Sequence, residues 1–204
     1  MPYVLPKSQT LCFKVVYYGP GRSGKTTNME RLHAETPEEA RGRLLTLDTD
    51  EERTLFFDHF PALVGKLGGY RVKLHLYSVP GQSFYNNTRK ALLQNVDGVV
   101  FVADSDPGRE EANLTALQNL FENLRRLGHD PDTLPIVFQW NKRDLPNATP
   151  IKTLEAMLNP DRRPSIATAA HLGKGVMETR NLVLRGMLKQ VREHQEADRG
   201  VQTA

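Results

Sequence analysis

The stretch GPGRSGKT, residues 19–26, constrains this chain more than any other. It fits the spacing G-x-x-x-x-G-K-S/T, follows the apolar run LCFKVVYY (11–18) and opens a helix-period stretch from about Lys25 to His33. Strand, glycine-rich turn and helix in that order turn backbone N–H groups inward and aim a helix N-terminus at the same point, which is a cradle for phosphate. Gly19, Gly21 and Gly24 let the backbone approach closely, and Arg22, Ser23 and Thr27 complete the cradle. Lys25 would reach the β- and γ-phosphates of a nucleotide, and the Thr26 hydroxyl would take one Mg2+ position.

The rest of the chain repeats that alternation of strand and helix. RGRLLTL (41–47) reads as a weak strand, and residues 63–79 as two strands with a turn at Gly68–Gly69. GVVFVAD (98–104) and PIVFQWNK (135–142) are continuous apolar runs, the mark of strands covered on both faces. SIATAA (165–170) is a weaker one. Leu114, Leu117, Leu120, Phe121, Leu124 and Leu127 keep helical spacing, as do Val176, Val183, Leu184, Met187, Leu188 and Val191. The expected fold class is therefore α/β, a mostly parallel central sheet with one antiparallel edge hairpin and helices on both faces. Residues 1–10 read as an N-terminal extension, 11–194 as one domain and 195–204 as a polar, frayed tail.

Composition narrows the partners. A net charge of +3 is too mild to argue for nucleic acid. Cys12 is the single cysteine, so no disulfide framework exists, which suits a reducing cytoplasm. No run is long enough to cross a membrane, the first ten residues lack a signal-peptide apolar region, and the ends MPYV and VQTA carry no lipidation signal. A cytoplasmic monomer without a direct membrane anchor is expected. His59, His75, His129 and His171 do not have the spacing of zinc ligands.

WNKRD (140–144) chooses the base, since N-K-x-D closes an apolar strand well downstream of the phosphate loop. Asp144 can accept from both guanine N1–H and the 2-amino group, and adenine would leave that carboxylate unpaired. Asn141 can brace the loops, and the stem of Lys142 can lie along the base. After the last strand, TAAH (168–171) would offer a backbone N–H, that of Ala170, to guanine O6. In TLDTDEERTLFFDHF (46–60), Thr54 can bind Mg2+ and sense the γ-phosphate. Arg53 is either a cationic finger in cis or a solvated charge beside Glu51 and Glu52. In HLYSVPGQSFY (75–85), Gly81 can offer its N–H to the γ-phosphate and Gln82 can orient an attacking water. Ser78 stands where such loops usually carry an Asp for the metal's waters, and it is expected to serve the metal through water. Asp104 has two readings: a displaced Mg2+ carboxylate or, preferred here, the cap of the turn DSDPG.

In this order the motifs resemble those of the Ras-like small GTPases and, more narrowly, of the bacterial MglA-type GTPases of cell polarity and gliding motility. KVVYYGPGRSGKTTN (14–28), ERTLFFDHFP (52–61), HLYSVPGQSFY (75–85), DGVVFVADS (97–105) and NKRDLPNA (141–148) carry the resemblance. It implies a small G-domain of the P-loop NTPases, with Mg2+ and GTP or GDP bound. It also implies that Arg53 is a catalytic finger in cis, that Gln82 positions water and that Thr54 is the switch Thr. A hydroxyl residue at the position of Ser78 is usual in that group. The resemblance further implies a roadblock-type (MglB-like) homodimer as GTPase-activating partner, and a register shift of the strand before SVPG between nucleotide states. Arg22 in the phosphate loop, LGGY in the hairpin and the longer tail depart from the group.

The reading is a GTP-hydrolysing switch of slow intrinsic turnover, with Lys25, Arg53 and Gln82 as its catalytic residues. Two rivals stand beside it. One is a pseudo-GTPase that holds nucleotide without useful hydrolysis, motivated by Ser78 and Arg22. The other is a P-loop kinase or ATPase, opposed by Asp144.

Overall fold

A computed structural model describes residues 2–47, 57–81 and 85–201, without the side chains of Leu47 and of residues 194–201. Among the described residues, eight strands and five α-helices follow one another as β1 (Tyr3–Leu5), β2 (Thr10–Tyr18), α1 (Lys25–Glu35), β3 (Leu45–Leu47), β4 (Phe57–Leu67), β5 (Tyr70–Ser78), α2 (Asn86–Leu93), β6 (Gly98–Asp104), α3 (Glu110–Arg126), β7 (Ile136–Asn141), α4 (Ile151–Leu158), β8 (Ser165–Ala167) and α5 (Val176–Val201). They build one sheet in the order β3-β4-β5-β2-β6-β7-β8, with β1 beside β2. The links β5-β2, β2-β6, β6-β7 and β7-β8 are parallel, whereas β3-β4, β4-β5 and β1-β2 are antiparallel. The sheet is thus the expected one, parallel in the centre and antiparallel at one edge.

Alternation along β2 explains the two layers, because successive strand residues point to opposite faces. Phe13, Val15 and Tyr17 join Met29 and Leu32 of α1 and Val183 and Met187 of α5 in one core. Val16 and Tyr18 join Leu93 of α2, Leu117, Leu120 and Leu124 of α3, and Leu154 and Leu158 of α4 in the other. A strand buried on both faces carries no polar face, which is why LCFKVVYY reads as a nearly unbroken apolar run.

The hairpin turns where expected. Gly68 (φ 54°) and Gly69 (φ 87°) both take left-handed backbone, as a two-residue turn between right-twisted strands requires. Its first strand, however, begins at Phe57, earlier than the expected start at 63, and a register shift lies between Leu63 and Gly65. Two other expected strands are shorter than their apolar runs. Only Leu45–Leu47 of the 41–47 stretch is strand, and Arg41 makes an isolated bridge to Ala62. Likewise β8 stops at Ala167, because Ala170–Leu172 winds into a short 3-10 turn. The N-terminal residues expected as an extension add β1 to the sheet, pairing Tyr3–Leu5 with Thr10–Cys12. The last helix continues to Val201, past the point where fraying was expected. Among the described residues no helix is long and apolar enough to cross a membrane.

Candidate functional site

The C-terminal ends of β2, β5, β6 and β7 point to one rim of the sheet, where ligands of open α/β sheets are held. The loop after β2 lies there with left-handed backbone at Gly24 (φ 96°) and at Arg22 (φ 64°). Only glycine fits at Gly19, where a Cβ would stand 2.2 Å from the Val102 carbonyl oxygen. Gly21, Arg22, Gly24, Lys25, Thr26 and Thr27 line a cavity of ≈ 700 Å³, and Ser78, Gly81, Asp58 and Arg109 face them across it. The Ser23 side chain is buried behind the loop.

Lys25 is only 6% exposed. Its ammonium donates to the carbonyls of Pro20 (2.7 Å) and Gly19 (3.2 Å), so a cation sits at the cavity floor on neutral acceptors. Burial first, and then the charge of Arg89, push its pKa down from 10.5 to about 7. Arg89 is itself buried. It donates to the carbonyls of Pro80 (3.0 Å) and Gly81 (2.8 Å) and to Asn119 Oδ1 (3.0 Å), and so pins the turn after β5. Gly81 rests directly on the phosphate loop: a Cβ there would stand 2.3 Å from the Cα of Gly21.

Asp58 was not among the residues expected at the site. It is buried, lies on β4 and lines the same cavity. The Ser78 hydroxyl donates to Asp58 Oδ2 (2.7 Å) and accepts from the Asp58 N–H (3.3 Å), while Thr46 Oγ1 donates to Asp58 Oδ1 (3.0 Å). The Ser78 proton is therefore committed to a carboxylate on the adjacent strand. Alternation in FFDHF gave a signal, since it puts Asp58 on the face of Phe60 and Ala62, which is buried.

Asn141 braces the loop after β7. Asn141 Nδ2 donates to the Ser23 carbonyl (2.8 Å), and its Oδ1 accepts from Thr168 Oγ1 (3.1 Å) and from the Ala170 N–H (2.9 Å). The Ala170 N–H, expected to face a base, thus donates to Asn141 Oδ1. Asp144 is near the surface, with His171 Nδ1 3.6 Å from its Oδ1. Lys142, in left-handed backbone (φ 65°), donates to Asp104 Oδ2 (2.7 Å). Asp104 Oδ1 accepts from the Asp106 N–H (3.1 Å), so the turn-cap reading describes it. Arg53, Thr54 and Gln82 lie outside the described residues.

A buried ammonium on a glycine-rich loop, with a carboxylate and hydroxyls opposite and an N-K-x-D loop clamped to it, suits a magnesium-bound nucleotide. Comparison with known proteins agrees. The ADP-ribosylation factor family matches residues 5–187. The chain is 43% identical over 193 residues to the mutual gliding-motility protein MglA of Myxococcus xanthus (strain DK1622), which covers 95% of this chain and 99% of that protein. The chain belongs to the MglA-type small GTPases. Proteins of this kind are in general GTP hydrolases that bind GTP or GDP with Mg2+.

The state of Lys25 makes nucleotide affinity depend on pH. In the free protein burial weakens proton binding at Lys25, so the unfolded chain binds more protons between about 7 and the ordinary 10.5. Stability of the free protein from this group therefore rises with pH across that window. A polyphosphate beside Lys25 favours the ammonium, so binding above that pKa takes up a proton. Affinity should be full below about 7 and fall by up to about tenfold per pH unit above it. Calorimetric titration with GDP at pH about 8, in two buffers of different ionisation enthalpy, should detect uptake approaching one proton. Zero uptake would mean that Lys25 is charged before binding.

Proposed function

We propose that this chain is a cytoplasmic GTP/GDP switch of slow intrinsic turnover, stimulated by a roadblock-type homodimer and acting in cell polarity or gliding motility. The observation that carries it is the hydrogen bond from Asn141 to the Ser23 carbonyl, which ties the N-K-x-D loop to the glycine-rich loop that presents Lys25. The cellular process rests on the likeness to the Myxococcus xanthus protein, whose name records mutual gliding motility. In this reading Thr26 and Thr54 would hold Mg2+, and Asp58, steadied by Ser78 and Thr46, would supply negative charge beside it. Mg2+, when bound, neutralises charge on the β- and γ-phosphates. Lys25 holds those oxygens, Gln82 orients water, Arg53 stabilises the charge that develops and the Gly81 N–H meets the γ-phosphate.

The test is phosphate release in a single turnover, with GTP or ATP and with or without a roadblock homodimer. Release from GTP alone should be slow and should accelerate on adding the homodimer, and ATP should give none. Tight GTP binding without release in either condition would leave a nucleotide-binding module in place of an enzyme. Turnover of ATP at the GTP rate would overturn the base assignment.

A further inference from the structure

Strand order places the end of β6 between the phosphate loop after β2 and the base-reading loop after β7. Asp104 is the last residue of β6 and pairs in register with Asn141, the last of β7. Asn113 fixes its backbone, donating to the Asp104 carbonyl (2.8 Å) and accepting from its N–H (2.9 Å). The carboxylate is fully buried yet bound by two cations, Lys142 Nζ at 2.7 Å and Arg109 Nε at 3.3 Å, both on Oδ2. Arg109, at the N-cap of α3, sends its other arm to the Gly21 carbonyl (2.7 Å) and lines the nucleotide cavity. One hydrogen-bonded chain therefore runs Gly21–Arg109–Asp104–Lys142, from the tip of the phosphate loop to the base reader.

We infer that Arg109 is a positioning residue for the bound nucleotide, coupling the two loops so that they open together or not at all. The guanidinium suits the task because its fork reaches a carbonyl and a carboxylate at once, which a lysine ammonium, a point charge, does not do with the same geometry. Turn-capping alone requires only the Asp106 contact, so the second and third partners of Asp104 are surplus to that role. The inference rests on the guanine-nucleotide reading of the cavity.

Release of fluorescent GDP from the full chain, measured by stopped flow in Mg2+, tests it. Arg109→Ala should release about tenfold faster, the worth of one charge-assisted hydrogen bond. Arg109→Lys should release nearly as fast, because charge without the fork does not bridge. Lys142→Ala should also speed release, and the double variant should fall short of the product of the two effects, since both act through Asp104. Parental rates in Arg109→Ala, recovery in Arg109→Lys, or independent effects in the double variant would each overturn the inference. If the parent itself holds no GDP, the nucleotide reading fails instead.

Discussion

Asp144→Asn is expected to reverse the base preference of the site. The Asp144 carboxylate can accept from two guanine donors, N1–H and the 2-amino group. Replacing it with an amide puts a donor against the 2-amino group and loses the charge-assisted pair. The loss for GTP should be about 2 kcal/mol or more, roughly thirtyfold in affinity. Xanthine carries a carbonyl in place of that amino group, so the new amide N–H gains a partner and xanthosine triphosphate should bind better than to the parent. The ratio of the two affinities should then move by about a thousandfold. The brace formed by Asn141 does not include Asp144, so the loop should keep its place in the variant. Competition of GTP and xanthosine triphosphate against fluorescent GDP measures the change. Unchanged GTP affinity would place the base elsewhere.

The second large effect is expected at Asp58, whose carboxylate supplies the negative charge that Ser78 does not. Asp58→Asn keeps the shape and removes the charge. It should raise the Mg2+ concentration needed for nucleotide retention by about 10- to 100-fold, the usual cost of losing a group that orients a metal's ligands. Asp58→Ala should add a loss of stability of about 1–3 kcal/mol, because the Ser78 and Thr46 hydroxyls are left without their acceptor. Ser78→Ala should act more weakly, since the carboxylate remains and only one of its hydrogen bonds goes. Ser78→Asp would set two carboxylates side by side in a buried place, so it should impair the site and not repair it. Nucleotide release titrated with Mg2+ in these variants ranks them. A larger effect from Ser78→Ala than from Asp58→Asn would return the metal-facing role to Ser78.

The contrast between these two residues shows what a sequence makes legible. The phosphate loop and the Gly68–Gly69 turn are local: their backbone angles and close approaches demand glycine within a few residues, so the spacing reveals them. β6 and β7 are legible because burial on both faces leaves a plain apolar run. Asp58 belongs to a pair that meets across two strands, twenty positions apart in sequence, and no local pattern joins it to Ser78. The early start of β4 is hidden for a related reason. Asp58 sets a charge on its buried face, and Pro61 lacks the N–H that a ladder uses. Helices α2 and α4 have 8 residues each, too short to establish a period, and packing on the sheet holds them where propensity would not. Arg89 and Arg109 look like solvated charges in the sequence; only the fold brings them to Gly81 and Gly21.

The function proposed above requires that the cavity hold a guanine nucleotide and that the chain hydrolyse it. Its most direct test is the nucleotide that accompanies the protein through gentle purification in Mg2+, released by acid and separated by chromatography. GDP is expected, with a minor share of GTP, at close to one nucleotide per chain, with slow conversion to GDP when the protein is reloaded with GTP. Adenine nucleotide in that fraction, or a protein that neither carries nor takes up guanine nucleotide, would contradict it.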